Sequence, residues 1–228
     1  MFKIFALLVT VFSLHKAHAL DTLVDRPKGA VKGLVIIAPA KKYLMGERLF
    51  AELAAHLTAE GYVTVRFNWS PDTFLDPQLE LARAARDIYN MTVFSQNFFK
   101  IRSEKTVLIS KSFSTKAIVP SIQLARTHIL LTPNCSAEQP FKQTYQNILD
   151  WPGISLRIII SNEDPYCQVD EIRKTLGAQA KLGLLLMTHG DHNFVLTTPT
   201  TNQSSYEYQD QVIQSITAQL QPKNTLVK

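Results

Sequence analysis

The chain has 228 residues, 46% of them hydrophobic and 19% charged, with a formal net charge of +5. These proportions fit one globular domain with a substantial core and exclude a disordered or low-complexity chain. The lysines and arginines are scattered, with no basic run interleaved with aromatics, so no nucleic-acid surface is predicted.

Residues 1–19 have the layout of a secretory leader. Lys3 supplies the positive start, residues 4–14 are apolar, and Ala17-His18-Ala19 is a small-residue cleavage site. As a helix the apolar stretch spans roughly 16 Å, about half a bilayer core, which favours a cleaved leader over the alternative of a membrane anchor. Cleavage after Ala19 predicts export to a periplasm or the medium and a single domain over residues 20–228. No later segment is long and apolar enough to cross a membrane.

Beyond the leader the pattern alternates strand and helix. Residues 33–39, Gly-Leu-Val-Ile-Ile-Ala-Pro, form a continuous apolar run ending at proline, as a strand buried on both faces does. Residues 47–60 carry Leu49, Phe50, Leu53, Ala54 and Leu57 at helical spacing, and Gly61 stands where a C-terminal cap belongs. Residues 62–67 are the next strand. Pro77 opens a long helix through Leu81, Ala84, Ala85, Ile88 and Tyr89, ending near Asn90 or continuing toward Phe99. Residues 106–110 form a strand and 113–124 the helix after it, ended or kinked by Pro120. Three more buried strands follow at 128–132, 156–161 and 182–187. Helices are expected near 138–149, 169–178 and 206–220. Six parallel-type strands alternating with helices predict an α/β fold, a doubly wound and mainly parallel sheet flanked by helices.

Ligands in such sheets bind beyond the carboxyl ends of the strands. Ser112 follows the third strand in Ile-Ser-Lys-Ser-Phe-Ser, with Ser110 and Ser114 two positions to either side. Small residues there suit a sharp strand-to-helix turn that presents a serine hydroxyl. Asp164 follows the fifth strand in Asn-Glu-Asp-Pro-Tyr-Cys. His189 and His192 follow the sixth in Thr-His-Gly-Asp-His-Asn-Phe. Serine, acid and histidine in that order, each just past a strand, make a candidate catalytic triad.

From residue 30 to 220 the chain resembles the α/β-hydrolases, in particular their compact dienelactone-hydrolase-like branch. The resemblance is carried by Leu-Val-Ile-Ile-Ala-Pro, Gly-Tyr-Val-Thr-Val-Arg-Phe-Asn, Leu-Ile-Ser-Lys-Ser-Phe-Ser, Ser-Asn-Glu-Asp-Pro-Tyr-Cys and Gly-Asp-His-Asn-Phe. It implies Ser112 as nucleophile, Asp164 as acid and His192, rather than His189, as base. It also implies an oxyanion hole from the backbone N–H of Phe113 and one from the loop near Ala40; Pro39 has none to give, which leaves Ala40, with Lys41 as the alternative. No cofactor or metal is expected. The implied partner is a small ester or acyl substrate.

Two departures from the family pattern stand out. Serines replace the glycines around Ser112, and the loop Ala38-Pro39-Ala40-Lys41-Lys42-Tyr43 has no glycine until Gly46. Two functional expectations therefore arise. One is an exported serine hydrolase acting on a carboxylic ester or thioester. The other is a catalytically impaired hydrolase-fold protein that binds a ligand or partner. Lys41 and Lys42 read as solvated surface, with attraction of an acidic substrate group as the alternative.

Cys135 and Cys167, the only cysteines, are a candidate disulfide, with two buried thiols as the alternative. They follow successive strands of a parallel sheet whose neighbours lie roughly 4.8 Å apart, so both emerge at one edge within bridging reach. About 23 residues between the fourth and fifth strands, most of them needed for a helix, leave little room for a lid.

Overall fold

The computed structural model describes residues 20–42, 44–135, 140–167, 169–176, 182–187, 190–195 and 205–220. The leader 1–19 and His189 lie outside the described residues.

Seven strands form one sheet: β1 (Thr22–Asp25), β2 (Gly33–Ala38), β3 (Tyr62–Phe67), β4 (Thr106–Lys111), β5 (Thr127–Leu131), β6 (Ser155–Ser161) and β7 (Leu182–Met187). Their spatial order is β1-β3-β2-β4-β5-β6-β7. All neighbours pair in parallel except β1, which runs antiparallel to β3. The six parallel strands are those expected from the sequence. The seventh, β1, is an addition to the expected sheet. It is a short, partly exposed edge strand, held by pairing with β3 and by Asp25, whose carboxylate accepts from the Arg66 guanidinium at 3.0 Å.

Among the described residues six α-helices flank the sheet: α1 (Arg48–Ala59), α2 (Glu80–Phe99), α3 (Phe113–Ala117), α4 (Phe141–Asp150), α5 (Val169–Leu176) and α6 (Ser205–Leu220). Successive residues of a strand point to opposite faces, and β2 shows the division. Leu34, Ile36 and Ala38 join a core with α2, α3, α4 and α5. Val35 and Ile37 join a second core with α1 and α6. The α1 stripe is buried as its periodicity predicts, and Gly61 takes the left-handed conformation beyond it at φ +98°.

One helix boundary differs from expectation and another falls where proline was expected to set it. Pro77 does not open α2. The Asp76 carboxylate accepts from the Gln78 N–H at 2.9 Å and the Asp76 carbonyl from the Leu79 N–H at 3.1 Å, so residues 76–79 form a turn and the helix begins at Glu80. It then runs unbroken past Asn90 to Phe99. The helix after Ser112 is interrupted at Pro120 as expected: α3 stops at Ala117, and a 3-10 turn at Val119–Leu124 carries Pro120 in its first turn. Proline lacks the N–H that an α-helix would need there.

The chain steps from β2 to β3 on one side and returns to place β4 on the other. This reversal opens a crevice between the carboxyl ends of β2 and β4, the usual location of a ligand site in such sheets.

Candidate active site

Ser112 sits at the crevice, at the turn from β4 into α3. Its backbone has φ 54° and ψ −116°, a region that costs a residue with a Cβ on the order of 1–3 kcal/mol. The conformation is held on both sides. The Ser112 N–H donates to the Leu131 carbonyl at 3.0 Å and extends the β4–β5 ladder, while the Ser112 carbonyl accepts the Thr115 N–H at 3.0 Å.

The flanking serines differ from each other. Ser110 is fully buried and its hydroxyl has no hydrogen-bond partner, so there it serves only as a small side chain. The equally buried Ser114 accepts the Lys111 N–H at 2.8 Å. Its hydroxyl proton is shared between the Ala38 and Lys111 carbonyls, each 3.0 Å away. Ala38 ends β2 and begins the Pro39-Ala40 loop, which is also held from above: the Trp69 indole N–H donates to the Ala40 carbonyl at 3.2 Å. Two side chains thus fix a loop that has no glycine to shape it. The backbone N–H groups of Ala40 and Phe113 donate to no other group among the described residues, and both residues line the pocket beside Ser112.

Asp164 and His192 converge on Ser112 from β6 and from the turn beyond β7. The Asp164 side chain is shielded from solvent. One carboxylate oxygen accepts the Tyr166 N–H at 2.8 Å and the other lies 2.8 Å from His192 Nδ1. His192 Nε2 is 2.7 Å from Ser112 Oγ. A carboxylate can only accept, so Nδ1 carries the ring proton, which leaves Nε2 to accept the serine proton. The Tyr166 ring meets the imidazole edge-on, with centroids 4.6 Å apart.

The histidine turn is built by its neighbours. The Asp191 carboxylate accepts the Asn193 and Val195 N–H groups at 2.7 and 3.0 Å. Gly190 has φ +105°, and a Cβ there would lie 2.4 Å from the Tyr208 ring. Its carbonyl accepts the Ser161 hydroxyl.

Lys111 is a component of this site that the sequence reading did not single out. It directly precedes Ser112 yet is fully buried, beneath the histidine turn. Its ammonium donates to the His192 carbonyl at 2.7 Å and to Thr132 Oγ1 at 3.0 Å, and lies 5.6 Å from the centre of the Phe194 ring. Burial pulls its pKa down to about 8, opposed by the charges of Asp164 and Asp191. A lysine in an apolar motif gives no sequence signal of such a contact, because its partner carbonyl lies 81 positions away.

The pocket at Ser112 holds about 570 Å³ and is walled by Lys42, Phe113, Asn134, Tyr166 and Asn193 among others. Lys41 turns to Glu80 at 2.5 Å and lies over the Phe74 and Phe113 rings. Cys135 and Cys167 form a disulfide, with Cα atoms 4.8 Å apart. Beside it the Cys135 N–H donates to the Tyr166 carbonyl at 3.1 Å. Among the described residues no group of three or more His, Cys, Asp or Glu side chains could hold a metal ion.

No protein-family model matches this sequence, and no curated protein does. Solved structures resemble it over nearly their whole length. An α/β serine hydrolase homologue from Coxiella burnetii superposes with a TM-score of 0.67 at 16% identity, covering 89% of this chain and 92% of that one. An α/β serine hydrolase without a lid from Xanthomonas campestris gives 0.65 at 15% identity, covering 89% and 90%. Esterase 2 of Thermogutta terrifontis, in a form phosphorylated by paraoxon, gives 0.66 at 12% identity, covering 87% and 88%. The chain therefore has the α/β-hydrolase fold in its compact form, with no lid among the described residues.

Proposed function

We propose that this protein is a serine hydrolase that cleaves a carboxylic ester or thioester through an acyl-enzyme on Ser112. The observation that carries the reading is the unbroken relay of 2.7 and 2.8 Å contacts from Ser112 through His192 to Asp164, set on a strained strand-to-helix turn. His192 takes the Ser112 proton as Oγ attacks the carbonyl carbon and returns it to the leaving group. Asp164 keeps the ring oriented and stabilises the imidazolium. Water then attacks the acyl-serine by the same base. The Phe113 and Ala40 N–H groups face the oxyanion, where such donors are typically worth about 2.7–4 kcal/mol each.

The open pocket suits a short acyl group or one borne on a larger carrier. The likeness to a lid-less serine hydrolase and to an esterase supports hydrolysis as the class of reaction. Export follows from the leader-like start, and the disulfide fits an oxidising compartment.

A fluorophosphonate probe and a series of p-nitrophenyl esters test the reading. Expected are covalent labelling of the wild type, loss of labelling in Ser112→Ala, and turnover that falls with acyl length. In Asp164→Asn, kcat should drop by about 10⁴, as when a triad acid loses its charge. A wild type that neither labels nor turns over any ester would leave a hydrolase-fold binding module.

A further inference from the structure

The fold gathers basic residues that are scattered in the sequence. Lys28 and Lys32 lead into β2, Lys100 and Arg102 follow α2, Lys105 precedes β4, Arg126 precedes β5, and Arg157 lies near the start of β6. In a parallel sheet these positions share one end, the amino-terminal edge, opposite Ser112. Their acidic neighbours there are fewer: Glu60 lies 3.7 Å from Lys32, Glu104 lies 3.2 Å from Arg102, Asp25 is held by Arg66, and Asp150 at the end of α4 accepts from Gln146.

At this edge a cleft of about 640 Å³ is lined by apolar Val63, Phe99 and Ile101 and by Lys32, Lys100 and Lys105, with Glu104 as its one acidic wall residue. A second hollow continues the basic rim to Arg157. Outward from Phe99 on α2, the Phe94 and Phe98 rings stack at 5.8 Å and 19°, yet remain 63% and 59% exposed. The Arg26 guanidinium lies over Phe98 and Phe99, 5.6 and 4.9 Å from their centres, so rings and charge form one surface.

We propose that this end of the molecule docks on an anionic phospholipid surface, with Phe94 and Phe98 entering below the headgroups and the basic rim meeting the phosphates. Interfacial binding of this kind needs apolar side chains flanked by cationic ones, and each basic residue near an anionic bilayer adds to the attraction. The two rings close on each other and leave no slot for a base, which favours acyl chains over nucleic acid. Attachment is peripheral, since no helix among the described residues is long and apolar enough to cross a membrane. The docking face stands independently of the proposed chemistry. It orients the Ser112 pocket away from the bilayer, so the substrate arrives from water.

Co-sedimentation with vesicles tests this, with the same amino terminus in every variant. The wild type should bind phosphatidylglycerol–phosphatidylcholine vesicles, bind phosphatidylcholine alone at least tenfold more weakly, and loosen as salt rises. Lys100→Gln with Arg102→Gln, and separately Phe94→Ser with Phe98→Ser, should each weaken binding about tenfold or more while the melting temperature and ester turnover in solution stay unchanged. The proposal is overturned by absence of vesicle binding, by equal binding to neutral vesicles, or by variants that bind as the wild type does. It is equally overturned by salt-sensitive adsorption that survives loss of both rings, by a preference for nucleic acid, or by a dimer that the ring variants dissolve.

Discussion

Ser114 occupies a position where the resembled turn carries glycine, and its hydroxyl makes three contacts that glycine could not. It links the Lys111 backbone to the Ala38 carbonyl and so holds the end of β2 against the start of α3. Ser114→Ala would strand a buried N–H and loosen the Pro39-Ala40 loop. Unmade buried hydrogen bonds cost about 1–3 kcal/mol. Urea unfolding should register a loss of that size, and steady-state kinetics a fall in kcat of about tenfold with KM little changed. Ser110→Ala should leave kcat alone and keep or slightly raise stability, because its buried hydroxyl has no partner to lose. The convergence of Ser112, Asp164 and His192 was legible in sequence because each follows an apolar strand within five residues, on one edge of a parallel sheet; the roles proposed for them come from their chain order. The ties from Ser114 to Ala38 and from Lys111 to His192 were not, since each joins residues some eighty positions apart and neither residue type announces its partner.

Lys111 acts between elements. It joins the end of β4 to Thr132, just past β5, and to the histidine turn beyond β7. Its folded pKa, about 8, lies below the ordinary lysine value of 10.5. Between those values the unfolded chain binds more protons than the folded one, so stability rises with pH across that window. Over the same range the ammonium that grips the His192 carbonyl loses its charge. Denaturation midpoints should therefore climb from pH 8 to 10 while kcat declines, and Lys111→Met should flatten the climb. Above pH 10 buried Tyr145, whose pKa is raised by burial, reverses the trend. Among whole elements, the six parallel strands could be read because each carries a short run rich in apolar and β-branched residues bounded by turn signals. β1 could not: with four residues, two of them exposed, it owes its conformation to pairing with β3. The start of α2 was likewise obscured by Pro77, which fits a turn as well as a first helical position.

At the scale of the molecule, the Cys135–Cys167 bridge closes a loop across a sequence separation of 32, around β6 and α4. Loop-closure entropy for that length is about 3–4 kcal/mol. Reductant, or Cys135→Ser with Cys167→Ser, should lower the denaturation free energy by a comparable amount. Turnover should drop as well, because Tyr166 and Asp164 lie on the tethered loop. Denaturant titrations with and without reductant, paired with ester kinetics, measure both. The basic edge escaped the sequence reading for a related reason: charges dispersed over many short loops become neighbours only once parallel strands align their starts.

The antiparallel course of β1 has a consequence for polarity in space. Thr22 pairs with Phe67, so the chain enters β1 at the carboxyl end of the sheet, the end that holds the Ser112 crevice and opposite Phe94 and Phe98. If the expected leader is removed after Ala19 and the proposed docking holds, the new amino terminus and the Ser112 pocket share the pole that faces away from the lipid.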